Sequence, residues 1–104
     1  METKNAKIEN TYLGYEGHGI LTCYLALSYG GSGQSFGGYE LKHPAYGINF
    51  IDKILKTIGV DSWEQLSGKM IRVKAERTGI SAIGHIIEEK WFSPQDLEKE
   101  ANND

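Results

Sequence analysis

Cysteine, proline and long apolar runs are all scarce in this chain. Cys23 is the only cysteine among 104 residues, so no disulfide bond can form within one chain. The longest apolar stretch, residues 20–27, is interrupted by Thr22 and is far shorter than the roughly 20 residues that a membrane helix needs. Residues 1–10 are polar, which predicts no signal peptide. These absences predict a cytoplasmic protein with no membrane partner.

Positive charge is not in excess either. The 11 Lys and Arg residues stand against 14 Asp and Glu residues, which gives a net charge of −3 and a pI near 5.6. A protein that holds nucleic acid through bulk electrostatics needs a basic field, so this balance argues against that partner. A nucleic-acid-binding accessory role stays as a lesser hypothesis. Residues 69–77 contain four basic residues, which could bind single-stranded nucleic acid together with aromatic side chains.

The residue patterns of catalysis and metal binding are missing as well. No two of His18, His43 and His85 have the close spacing of a zinc motif. Cys23 lies on the apolar face of a predicted strand, where a thiol behaves as a small hydrophobic group. No paired carboxylates and no nucleophile elbow occur. The sequence therefore predicts a protein that is not an enzyme and that uses no metal and no cofactor.

What the sequence has in excess is glycine, with 13 residues, most of them in the first half. The densest stretch is residues 29–39, whose glycines predict a hairpin turn followed by a bulge or a close backbone neighbour. This stretch misses the dinucleotide fingerprint by one residue, although glycine-rich backbone amides can also cover phosphate groups. Together with Tyr12, Tyr15 and Tyr24 in adjoining strands, it has the Tyr, Ser and Gly mixture of recognition surfaces.

The alternation of apolar and polar residues predicts an α+β fold in a single domain, residues 1–104, with an ordered core of about 7–97 between polar tails. The residues before Lys7 are expected to fray. Strands are predicted at residues 7–15, 20–29, 34–41, 70–76 and 80–87. The first three form a meander and the last two form a C-terminal hairpin. Together they predict an antiparallel sheet of about five strands with one amphipathic helix packed on one face.

That helix is predicted over residues 48–58, because the apolar period changes there from two to 3.6 residues. Gly59 is predicted to end it, and Thr57 is placed on its polar face. Its apolar stripe consists of Ile48, Ile51, Ile54, Leu55 and Ile58.

Two further helical starts are predicted by their capping residues. Asp61 and Glu64 have the spacing of a capping box, which predicts a short helical turn. Ser93 and Pro94 are typical of a helix start, although the residues from 98 onward are predicted to form a polar tail. Residues 91–92 are expected to pack under the sheet.

Several stretches resemble a group of small proteins carried by bacteriophages and prophages. They are Ile-Glu-Asn-Thr-Tyr-Leu-Gly-Tyr-Glu-Gly-His-Gly-Ile at residues 8–20, the glycine-rich run 30–41, Ile-Gly-His at 83–85 and Lys-Trp-Phe at 90–92. The resemblance implies a small accessory phage protein and carries no catalytic residue. Proteins of that size include inhibitors of host defence, among them anti-CRISPR proteins and sponges for nucleotide signals.

The leading hypothesis is a non-enzymatic, phage-encoded inhibitor that blocks a host defence protein by stoichiometric binding, in the manner of an anti-CRISPR protein. The alternative is a sponge that binds a nucleotide or cyclic nucleotide signal, with Arg72 and Lys74 supplying charge to the phosphates. The strand edge at residues 34–41 would also allow pairing with a second copy. The candidate binding residues are Tyr29, Gly31, Ser32, Gly33, Gln34, Phe36, Gly37, Gly38, Tyr39, Glu16, His18, Arg72 and Lys74.

Overall fold

The computed structural model describes residues 2–102, which form six strands, two α-helices and two short 3₁₀ turns. The 3₁₀ turns cover Glu40–Lys42 and Trp63–Gln65. The strands and helices, in chain order, are β1 (Glu2–Tyr15), β2 (Leu21–Tyr29), β3 (Ser32–Gly38), α1 (Ile48–Ile58), β4 (Met70–Glu76), β5 (Gly79–Gly84), β6 (Trp91–Phe92) and α2 (Pro94–Asn102).

All six strands belong to one antiparallel sheet, in the order β3-β2-β1-β4-β5-β6. The predicted antiparallel α+β class is confirmed, as are the meander β1-β2-β3 and the hairpin β4-β5. The sheet has six strands rather than about five, because Trp91 and Phe92 pair with Gly84 and Ile83 as β6. The sheet curls into a half-barrel and brings β3 close to β5.

The long strand β1 joins the two halves of this sheet. Its residues 7–15 pair with β2, whereas its residues 2–7 pair with β4. The expectation that the residues before Lys7 fray is therefore wrong for residues 2–6, and Ala6 is buried. Their polar composition hid this, because a strand at the middle of a sheet obtains its backbone hydrogen bonds from neighbours that local periodicity does not reveal.

The turn between β2 and β3 is a two-residue hairpin loop. Gly30 and Gly31 both have positive φ, 52° and 80°, as a type I′ turn requires. Gly37 has φ 111°, and a Cβ there would lie 2.5 Å from the Cys23 carbonyl oxygen. The predicted close backbone neighbour is thus found at Gly37. β3 ends at Gly38, earlier than predicted, because residues 40–42 turn into a 3₁₀ helix.

α1 has the predicted bounds and ends at Gly59 in the left-handed conformation. Its buried residues are Phe50, Ile54, Thr57 and Ile58. The predicted stripe is partly wrong, since Ile48 is 72% exposed while Thr57, predicted to be polar-facing, is 7% exposed. The face of α1 is set by Phe50, whose ring enters the half-barrel.

Three aromatic rings meet in the core of the half-barrel. Phe50 stacks on Phe36 of β3 with ring centroids 5.7 Å apart, and Phe92 of β6 meets both rings edge-on. The rest of the core consists of the apolar side chains that β1, β2, β4 and β5 direct inward, together with Ile54 and Ile58 of α1, Leu66, and Leu97 of α2. Cys23, which was predicted to lie on the apolar face of its strand, is buried together with Leu25 and Leu27 of β2.

Three boundary predictions differ from the structure. The capping box uses Ser62 and Gln65, one residue later than predicted, because Ser62 is the residue in the extended N-cap conformation. β5 ends at Gly84 rather than at residue 87, and the loop that follows returns the chain to β6. α2 continues to Asn102 through the predicted polar tail, and Leu97 anchors it because its side chain is buried.

Candidate functional site

The predicted binding residues do not form one site. Tyr29 and residues 31–34 lie at the β2-β3 hairpin, whereas Glu16, His18, Gly38 and Tyr39 lie at the other end of β2. β2 has nine residues, so the two groups are separated by roughly 26 Å at a rise of about 3.3 Å per residue. We call them the hairpin tip and the turn end.

Two predicted contact residues have structural roles instead. The side chain of Phe36 is 3% exposed and belongs to the core, so it is not available to a partner. β3 places it there because Phe36 pairs with the buried Leu25. Gly37 allows β3 to approach β2, as its missing Cβ shows.

The hairpin tip borders a shallow cleft of about 400 Å³. Curling of the sheet brings the start of β1 and the end of β4 to this place. The ammonium group of Lys4 lies 5.8 Å from the ring centroid of Tyr29. The lining residues are Glu2, Lys4, Tyr29, Ser32, Gln34, Ala75, Glu76 and Arg77. Two acids and two bases line the cleft, so it has no strong charge of either sign.

Arg72 and Lys74 lie away from both ends, on the outer face of β4. The guanidinium of Arg72 donates to the backbone carbonyls of His85 and Glu88, both at 2.7 Å, and its Nη1 is 3.1 Å from Glu89 Oε1. The Arg72 side chain is only 19% exposed. Arg72 therefore holds the loop before β6, and this role replaces the predicted phosphate contact.

The side chains of Arg72 and Lys74 both lie over the ring of Trp91. Arg72 Cζ and Lys74 Nζ lie 4.8 Å and 4.6 Å from the Trp91 ring, and both are cation–π contacts. The indole N–H donates to Glu89 at 3.3 Å. The hydrogen bond from Trp91, followed by that from Arg72, lowers the pKa of Glu89. Trp91 thus lies on the outer face of the sheet, and only Phe92 packs inside as predicted.

The turn end is organised by the carboxylate of Glu16. Its Oε1 accepts from the backbone N–H of His18 at 2.6 Å and of Ile20 at 3.3 Å. Its Oε2 lies 2.8 Å from His18 Nδ1 and accepts from the Tyr39 hydroxyl at 3.3 Å. One carboxylate therefore closes the β1-β2 turn and ties it to the residue that follows β3.

These contacts change the acidity of both partners. The hydrogen bond from the His18 ring lowers the pKa of Glu16, and the backbone N–H groups and Tyr39 act in the same direction against partial burial. Burial, followed by the charge of Glu16, raises the pKa of Tyr39. A lowered carboxylate pKa stabilises the fold at neutral pH, and this contribution is lost as the pH falls through the lowered value.

Exposed tyrosine side chains lie at the turn end. Tyr39 is 50% exposed and Tyr12 36%, whereas Tyr15, which is 70% exposed, lies on the opposite, concave face with its partner Leu21. Tyr12 stacks on Tyr24 with centroids 5.6 Å apart, and its hydroxyl donates to the Tyr15 carbonyl at 2.5 Å. We call Tyr12, His18 and Tyr39 the tyrosine surface. Tyr12 was noted from the sequence but not as a contact residue, because its grouping with Tyr39 depends on the meander.

The nucleophilic and metal-ligating residues are dispersed. Within residues 2–102, no three His, Cys, Asp or Glu side chains are arranged to hold a metal ion. Burial raises the pKa of Cys23 to about 12. The thiol is fully buried, so it packs in the core as its apolar neighbours predicted.

Comparison with known proteins adds no relative: no protein-family model, no curated protein and no solved structure matches this chain. The resemblance to phage proteins thus stays a prediction. Neither α1 nor α2 has the length and apolar character that a membrane crossing requires, and the same holds for all helical segments of residues 2–102.

Proposed function

We propose that the chain is a non-enzymatic binding protein and that it contacts a partner protein through the tyrosine surface. The observation that supports this is the group of exposed aromatic side chains around one carboxylate. Tyrosine supplies a large contact area with few rotatable bonds, and it is enriched among the residues that dominate protein interfaces. The proposal moves the binding site from the hairpin tip to the turn end.

Preorganisation also favours this surface. Glu16 accepts four hydrogen-bonding contacts, so the turn and Tyr39 are held before a partner arrives. A surface that is already ordered loses less conformational entropy on binding. The turn end thus combines exposed contact area with a fixed arrangement.

The partner class follows from the phage resemblance. We propose a host defence protein, bound stoichiometrically, so that the chain acts as an anti-CRISPR-like inhibitor in the host cytoplasm. A binder of this kind needs a surface and no catalytic group, and the turn end supplies such a surface.

The test begins with tagged protein expressed in host cells. A protein that co-purifies is identified by mass spectrometry, purified, and titrated against the chain by isothermal calorimetry. We expect one partner per chain. The double variant Tyr39→Ala with His18→Ala should raise the Kd by on the order of 100-fold, since truncating an aromatic anchor costs 2 kcal/mol or more.

The matched control is Ser32→Ala with Gln34→Ala at the hairpin tip, which should bind like the wild type. Thermal unfolding of both double variants establishes that each is folded. Loss of binding in the control pair but not in the tyrosine pair would contradict the proposed site. Failure of any host protein to co-purify would contradict the function.

The cleft at the hairpin tip favours nucleotide capture as a second candidate. Lys4 and Arg77, rather than Arg72 and Lys74, would then face the phosphates, although Glu2 and Glu76 line the same cleft. Thermal unfolding with added mono- and cyclic nucleotides separates the two functions. A tight ligand at a hundredfold excess over Kd stabilises by about 2.7 kcal/mol, whereas a protein inhibitor should show no shift.

A further inference from the structure

One stretch of β1 has a strand neighbour on only one side. β4 pairs with residues 2–7, and the segment before β4 reaches only two residues further. Gly68 and Lys69 exchange backbone hydrogen bonds with Ile8, and the Ser67 hydroxyl donates to the Glu9 carbonyl at 3.4 Å. Residues 10–15 are then paired with β2 alone. We call residues 10–15 the β1 edge.

The register defines which backbone groups this edge presents. The Glu16 N–H donates to the Ile20 carbonyl, so Glu16 faces β2. Successive residues of a strand direct their N–H and C=O groups to opposite sides, and alternate residues in antiparallel pairs are hydrogen-bonded. Thr11, Leu13 and Tyr15 therefore direct theirs away from β2. Within residues 2–102, the Tyr12 hydroxyl donates a hydrogen bond to one of these outward backbone groups, the Tyr15 carbonyl.

The β1 edge also lacks the usual protection of an exposed strand. Natural edges are shielded by charged side chains, proline, bulges or covering segments. Residues 10–15 contain no charge and no proline, and the bulge of β1 lies before them, between Ile8 and Asn10. Leu13 is 47% exposed and Tyr15 is 70% exposed. Their side chains share the concave face, so apolar area and free backbone groups occur together.

The strand edge that the sequence predicted to pair with a second copy, at residues 34–41, offers less apolar area to a partner strand. The residues of β3 that face away from β2 are Gly33, Ser35 and Gly37, which carry almost no apolar area. Gly37 also departs from extended geometry. Backbone hydrogen bonds alone replace those to water with little net gain, so apolar burial has to supply the stability of an added strand.

We propose that the β1 edge pairs with the β1 edge of a second copy of this chain, antiparallel, with a two-fold axis at Leu13. Leu13 then lies opposite Leu13 of the second copy, and Thr11 lies opposite Tyr15 in both directions. These three outward residues would form about six hydrogen bonds across the axis, with the Tyr15 carbonyl accepting from the second copy as well as from the Tyr12 hydroxyl. The two half-barrels become one continuous sheet, and this dimer does not depend on the proposed host partner.

Charge distinguishes this register from its neighbour. With the axis at Leu13, Glu16 lies opposite the neutral Asn10. An axis between Tyr12 and Leu13 would instead place Glu16 opposite Glu9, and like charges directly across a ladder are destabilising. That second register would also align outward residues with residues that face β2. Of these two registers, only the one with the axis at Leu13 leaves the segment self-complementary.

Charge-swap variants test the axis directly. Analytical ultracentrifugation over a concentration series should find a dimer for the wild type. Leu13→Lys alone and Leu13→Glu alone should each raise the dimer Kd by on the order of 100-fold, because a like charge then lies opposite itself. An equimolar mixture of the two variants should restore the dimer. Ile87→Lys, at an 80% exposed loop position, should dimerise like the wild type.

A cross-link provides the second measurement. Leu13→Cys is made together with Cys23→Ala, because Cys23 is the residue of β2 that pairs with position 13 and would compete for the disulfide. Mild oxidation should yield a covalent dimer, and Ile87→Cys in the same background should stay monomeric. Circular dichroism establishes that each variant is folded. A monomeric wild type, or a dimer that survives both charge variants, would overturn the proposal.

Discussion

At the scale of single residues, Gly84 shows how one missing side chain organises a surface. The Trp91 ring lies over it so closely that a Cβ at Gly84 would be 2.6 Å from Trp91 Cε3. Such a contact has to be relieved by moving the indole or the strand. The cation–π contacts of Arg72 and Lys74 with this ring therefore depend on Gly84, which pairs with Arg72 on the neighbouring strand.

We expect Gly84→Ala to lower the free energy of unfolding by about 1–3 kcal/mol, the usual cost of overpacking. Urea unfolding followed by tryptophan fluorescence measures it, and the native emission should also change as Trp91 moves. Gly33→Ala is the matched control, because its Cβ would meet only the Leu27 carbonyl at 3.8 Å. Equal stability of both variants would contradict the close packing of Trp91 on Gly84.

The candidate site was predictable only in part at this scale. Glu16, His18 and Tyr39 were all singled out from the sequence, but nothing local connects residue 16 to residue 39. Their contact needs β2 to lie between β1 and β3. Phe36 was misassigned because its glycine and tyrosine neighbours outweighed its place opposite Leu25. Arg72 was misassigned because its partners are backbone carbonyls, which leave no mark in the sequence.

At the scale of elements, α1 shows the difference between a helix and its orientation. The period of 3.6 residues and Gly59 predicted both ends of the helix correctly. The period did not predict which face of the helix is buried, because the curvature of the sheet decides which residues enter the half-barrel. Phe50 enters it, whereas Ile48 in the first turn stays outside.

Two alanine variants of α1 measure this orientation. Phe50→Ala should cost about 3–5 kcal/mol, because it removes a buried ring that contacts Phe36 and Phe92. Ile48→Ala should change stability by only about 0.5 kcal/mol, since that side chain is exposed. Denaturant unfolding with fitted slopes checks both values. A large loss from Ile48→Ala would support the stripe predicted from the sequence instead.

At the scale of the whole molecule, the two halves of the sheet are joined through β1. Residues 2–6 look like a frayed start in the sequence, yet their backbone pairs with β4. The antiparallel α+β class was predictable from alternation and turns. The joining role of β1 was not, because pairing between distant strands is decided by the assembled sheet.

Deletion of residues 2–6 should therefore lower the free energy of unfolding by about 3–5 kcal/mol, at roughly 1 kcal/mol for each lost ladder hydrogen bond. Thermal and denaturant unfolding measure the loss. Thr3→Ala, which keeps the backbone and changes an exposed side chain, should unfold like the wild type. An unchanged stability after the deletion would mean that the pairing of residues 2–6 contributes nothing.

The position of β1 also affects the order in which the chain can assemble. The β1-β2, β2-β3 and β4-β5 hairpins each close over a short loop, whereas pairing of β1 with β4 joins residues that lie about 60 to 70 positions apart. Loop-closure entropy opposes distant contacts, and such contacts slow folding. During synthesis, residues 2–6 emerge before β4 and have no strand to join until β4 has been made. The start of β1 therefore waits for a partner that is made more than 60 residues later.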